Sequence, residues 1–138
     1  MRHDWDMTTF ISFKTLKRSP KPNTCLVAPD GLCLAAEPDL PSPEFEDTPA
    51  ELFAKLETLI QTERSWIDLA ADAEDLKLKF IARSAIMRFK DDVDIAVLPA
   101  ASGPGSQLAI YSRSRVGYSD LGANRKRVDS LLNKLTVK

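Results

Sequence analysis

Between residues 66 and 114 apolar and polar side chains alternate in short runs, while on either side of that stretch apolar residues recur every three to four positions. The alternating part reads as four strands. Trp66 to Ala70 is the first. Leu76 to Ala82 is the second, with Leu76, Leu78 and Phe80 pointing inward. Val93 to Val97 is the third, with Val93, Ile95 and Val97 inward, and Leu108 to Ser114 is the fourth, with Leu108 and Ile110 inward. Short connections join them, among them a Pro/Gly-rich loop over 99–106, which predicts an antiparallel meander. A helix precedes the meander: Thr48 can cap it, Pro49 suits its first position and Glu51 completes a capping box. It should run to about Thr62, with Leu52, Phe53, Leu56, Leu59 and Ile60 on one stripe and Glu51 paired with Lys55 on the other side. A second helix should run from about Asp120 to Leu135, with Leu121, Val128, Leu131, Leu132 and Leu135 on its apolar face.

The first 47 residues read differently. Phe10 to Leu16 is a short alternating piece that suits either a strand or a half-turn anchored on the body. Seven of the nine prolines fall between Ser19 and Pro49, which predicts an extended arm crossing the surface, with Cys25 to Ala28 pinned to the core. The expected architecture is α+β, in one domain over 1–138. An arm with a short strand (1–47) precedes a helix–meander–helix body (48–135), whose two helices pack on one face of a sheet that is polar on the other.

Composition changes little in this picture. A 138-residue chain with 43% apolar residues can bury a core without staples. Cys25 and Cys33 lack the spacing of a zinc site, and the sole histidine is His3, so two free thiols in a reducing cytosol is the default reading, with a disulfide left for an exported chain. No cofactor and no metal site is expected. The chain has no membrane-spanning run and no signal-peptide pattern, which makes a soluble, cytoplasmic protein the expectation and leaves peripheral membrane association open.

Charge is informative through its distribution. The net charge is −1, yet residues 112–138 hold seven basic side chains against Asp120 and Asp129, a local +5 that leaves −6 for residues 1–111. That basic fifth opens with Ser112-Arg113-Ser114-Arg115-Val116-Gly117-Tyr118-Ser119-Asp120-Leu121-Gly122, followed by Asn124, Arg125 and Arg127. Alternation puts Ser112 and Ser114 on the inward face with Leu108 and Ile110, while Tyr111, Arg113 and Arg115 face outward. Helical spacing puts Asn124 inside the apolar arc of the last helix, where its amide needs partners. One reading is a polar joint of Ser112, Ser114, Asp120 and Asn124, with Ser119 or Asp120 as the cap. The other is an anion site: Arg113, Arg115, Arg125 and Arg127, with Tyr118 and Asn124, converge on a helix N-terminus, and guanidinium groups favour bidentate capture of phosphate or carboxylate. Asp120 itself competes for that site.

Asp91, Asp92 and Asp94 form a second cluster. In an antiparallel register Asp92 or Asp94 can face Arg113 across the outer surface as a salt-bridge ladder. Adjacent carboxylates on a strand point to opposite faces, which argues against metal binding by Asp91 and Asp92 together. A Ser–His or Cys–His pair would have to recruit His3 from the N-terminus. The near-neutral charge and sparse aromatics argue against nucleic acid as partner.

The run from Ser112 to Arg127 resembles the signature of an uncharacterised bacterial and plastid family called domain of unknown function 1499. Asn23-Thr24-Cys25-Leu26-Val27-Ala28-Pro29 resembles that family's N-terminal motif, and Arg83-Ser84 through Arg88 to Asp94 its middle one. The resemblance spans roughly residues 10 to 135. Lys90 stands where the family has a proline, and some members look membrane-anchored, which is not the expectation for this chain. The resemblance implies that the motif matters and supplies no reaction. The leading expectation is a non-enzymatic binding or accessory domain that recognises an anionic group at the joint: a phosphate, a lipid head group or a carboxylate. The alternatives are an enzyme using Asp92, Asn124 and the arginines on a phosphorylated or carboxylated small molecule, and a purely structural joint in which aspartates consume Arg113 and Arg115.

Overall fold

A computed structural model describes residues 9–84 and 89–136. His3 lies outside them. Six strands form one sheet in the order β2-β1-β6-β5-β4-β3, where β1 is Thr24–Ala28, β2 Leu40–Pro41, β3 Trp66–Asp72, β4 Lys77–Arg83, β5 Lys90–Pro99 and β6 Ser106–Ser114. Strands β3 to β6 are the expected antiparallel meander. Two helices, α1 (Pro49–Thr62) and α2 (Ala123–Thr136), make the fold α+β. Thr48 caps α1 through its hydroxyl, which accepts the Glu51 N–H, while Glu51 Oε1 accepts the Thr48 N–H. Because Glu51 is engaged at the cap, Lys55 pairs with Asp47 at 3.1 Å and not with Glu51.

The proline-rich stretch is more regular than its composition predicts. Residues 24–28 are a strand that extends the meander, antiparallel to β6 (Thr24↔Arg113, Cys25↔Ser112) and parallel to the two-residue β2. The prolines flank β1 without entering it, and the free edge of β6 satisfies its backbone groups.

Both helices pack on one face of the sheet. Leu52, Leu56, Ile60, Val128, Leu131 and Leu135 close there over Val27, Leu78, Phe80, Val93, Ile95, Leu108 and Ile110. The expectation of a polar second face is corrected. Phe13, with Ile11, Leu16, Leu32 and Ala36, covers Leu26, Ala28, Ala96, Ala109 and Tyr111 on that side. The central strands are therefore buried on both faces, and Lys79 and Asp94 are buried with them. Residues 13–15 form a turn, so Phe10 to Leu16 is the anchored turn and not a strand. Among the described residues no helix is long and apolar enough to cross a membrane.

Candidate functional site

Strand β6 delivers Ser112 and Ser114 to the helix side and Arg113 to the other, as alternation requires. Asn124, in the first turn of α2, is fully buried between them and is the centre of a closed polar network. Its Oδ1 accepts the Ser112 hydroxyl at 2.6 Å and an Arg127 N–H at 2.8 Å. Its Nδ2 lies 2.9 Å from the Asn23 carbonyl, 3.0 Å from Ser114 Oγ and 2.7 Å from Asp120 Oδ2, so two N–H groups serve three acceptors. One amide thus ties α2 to β6 and to the residue preceding β1.

Asp120 caps the first turn of α2, accepting the N–H groups of Gly122 at 2.8 Å and Asn124 at 3.0 Å. Ser119 supports it by accepting the Leu121 N–H at 3.3 Å. Burial alone would raise the Asp120 carboxyl, but the N–H donors of Asn124 and Gly122 outweigh it and hold the group below its ordinary value. Its contribution is therefore complete above the ordinary carboxylate value and fades as pH falls through the lowered one. Asp120→Ala is expected to cost about 1 kcal/mol at neutral pH, the usual worth of a cap. The difference from the native chain, read from urea midpoints along a pH series, should disappear in strong acid.

The start of the helix differs from expectation at Leu121. Leu121 (φ 55) and Gly122 (φ 82) both adopt the left-handed region, so α2 begins at Ala123 and Leu121 is 88% exposed instead of lying on the apolar face.

The arginines are paired with aspartates. The even positions Asp92 and Asp94 face outward and meet Arg115 and Arg113 on the diagonal. Arg113 reaches Asp94 at 2.7 Å, and Arg115 holds Asp92 in a bidentate pair at 2.9 and 2.8 Å. The Arg113 guanidinium also lies over the Tyr111 ring, 4.9 Å from its centroid. Arg127 projects inward to Asp91 at 3.0 Å and donates to Ser112 at 3.0 Å. Burial pushes the Asp91 and Asp94 carboxyls up, with Arg127 and Arg113 respectively pulling the other way. Among the described residues Arg125 pairs with Asp129 alone, one helical turn on, at 3.2 Å in an exposed contact. Tyr118 is 69% exposed.

Two members of the network are ones that the sequence pattern does not assign to the joint. Asp91 is one, although its odd position puts it on the inward face. Asn23 is the other: it is buried, donates through Nδ2 to the Gly117 carbonyl at 2.9 Å and receives the Ser114 N–H at 3.1 Å. Its place at the head of the N-terminal motif was the available signal. Cys25 is buried and burial pushes its thiol up to about 11, which leaves it protonated and unreactive; both cysteines are free. Among the described residues no group of three or more His, Cys, Asp or Glu side chains could hold a metal ion.

The geometry defines an α+β domain with a strand–turn–helix joint locked by buried hydrogen bonds and ion pairs, from which an exposed loop projects. The chain belongs to the family described as Protein of unknown function (DUF1499), whose sequence model matches residues 16–135. Comparisons with curated proteins and with solved structures gave no match.

Proposed function

We propose that this is a non-enzymatic binding or accessory domain that meets an anionic group with the loop over 115–121 and the cationic residues around it. The single observation that carries the reading is a division of labour among the cations. Arg113, Arg115 and Arg127 are committed to Asp94, Asp92 and Asp91, so they support the joint. Lys90 and Lys126 are exposed without an ion pair among the described residues, and the exposed Arg125–Asp129 pair is weak enough to open. The bound group would carry phosphate or carboxylate charge and approach from solvent. The binding reading is preferred to an enzyme that would use Asp92 and Asn124 together, since Asp92 faces away from the helix layer that holds Asn124.

Retention on phosphocellulose at low salt tests this reading. A chain of net charge −1 should be held through its local cationic rim, and Lys90→Gln, Arg125→Gln, Lys126→Gln should flow through while melting at the native temperature. Native protein that flows through, or a variant held as firmly, overturns it.

A further inference from the structure

Five large apolar side chains are exposed among the described residues, and four of them gather at the joint: Phe89, Val116, Tyr118 and Leu121. Val116, Tyr118 and Leu121 stand in the loop between β6 and α2. Phe89 precedes β5, and continuing the Asp91↔Ser114 register two steps brings it beside Val116; the Arg115 N–H to Lys90 carbonyl contact at 3.4 Å supports that approach. The loop is open to solvent. A side chain added at Gly117 or Gly122 would meet nothing within 4 Å.

Leu121 is the telling residue. A leucine in the left-handed region is strained, and at 88% exposure it gains no burial in return. Such an outlier points to a contact made outside the folded chain. Beside the loop lie Lys90, Arg125 and Lys126, all exposed. The acidic groups nearby are occupied: Asp92 by Arg115, Asp129 by Arg125, and Asp120 by the start of α2. An apolar tip that includes a tyrosine, inside a cationic rim, has the form of a surface that enters a head-group layer. A protein partner would be expected to receive such side chains in a pocket of its own, and nothing in the rim's charge selects for one.

We infer that the 115–121 loop docks reversibly on anionic lipid membranes, with Val116, Tyr118 and Leu121 entering the interface and the cationic rim meeting the head-group phosphates. This rests on the binding reading above and names its partner.

Vesicle flotation tests it, using phosphatidylcholine alone and phosphatidylcholine mixed with phosphatidylglycerol. The native chain should float with the mixed vesicles and not with phosphatidylcholine alone, and added salt should release it. Val116→Ser, Tyr118→Ser, Leu121→Gly should lower the bound fraction at least fivefold yet melt no lower than the native chain, because Leu121→Gly relieves the backbone. Equal flotation of that variant, or no flotation of the native chain, overturns the inference. Phosphocellulose retention without flotation removes the lipid inference and leaves the binding reading standing; loss of both removes both. Flotation that persists on pure phosphatidylcholine contradicts the role of the rim.

Discussion

Asn124→Ala is expected to destabilise the domain by about 3 kcal/mol, the range for breaking a buried hydrogen-bond network. For a chain of this size that corresponds to a fall in melting temperature of roughly 10 °C. The reason is the convergence of partners on one amide. Removing it withdraws the acceptor used by Ser112 and Arg127 and the donor used by the Asn23 carbonyl, Ser114 and Asp120, in a place water does not reach. Circular dichroism melting and urea unfolding at neutral pH would read the effect directly. A loss within about 0.5 kcal/mol, the range for an ordinary surface substitution, would mean that the network does not hold the joint.

Arg127→Leu is expected to cost about 3–5 kcal/mol at pH 7, the range for removing one partner of a buried pair. The side chain packs against Ser112 and Asn124 and supplies the cation beside Asp91, whose carboxylate side chain is 8% exposed. Burial already raises the Asp91 carboxyl in the native chain, with Arg127 as the main counterweight. Without that cation the folded-state value rises further while the unfolded value stays put, so the folded variant binds a proton over a wider range than the unfolded chain. Stability of the variant therefore increases as pH falls through that window, and increases more than that of the native chain. The gap between the two, measured by urea unfolding from pH 7 toward pH 5, should narrow on acidification. A gap that stays constant would show that Asp91 does not depend on Arg127.

The meander and both helices were legible because each is set by local spacing: alternate apolar residues in Leu76 to Ala82 and Val93 to Val97, the Thr48, Pro49 and Glu51 cap, and the three-to-four spacing of Val128, Leu131 and Leu135. The inner half of the site was legible for the same reason. Alternation placed Ser112 and Ser114 beneath the helix layer, and helical spacing placed Asn124 in the apolar arc. What escaped depends on distant partners. Nothing local distinguishes Cys25 to Ala28 as a strand until the edge of β6 is there to pair with it. The burial of Lys79 and Asp94 follows from residues 9–16 and 32–36 lying over the second face, which no period in β4 or β5 encodes. Asp91 belongs by sequence to an acidic cluster with Asp92 and Asp94, yet the parity that turns Val93 inward turns Asp91 toward Arg127 as well. Leu121 fitted the helical period but not the backbone, since two consecutive left-handed residues end the loop before the helix starts.

The joint acts as one unit, and the coupling between Ser112 and Asn124 measures that. In a double-mutant cycle with Asn124→Ala and Ser112→Ala, the second substitution removes a hydroxyl whose acceptor the first has already taken away. The double variant should therefore lose about 1 kcal/mol less than the two single losses combined, as expected of residues sharing a network. Losses that add within about 0.3 kcal/mol, as for independent sites, would contradict the claim that these residues lock α2 to β6.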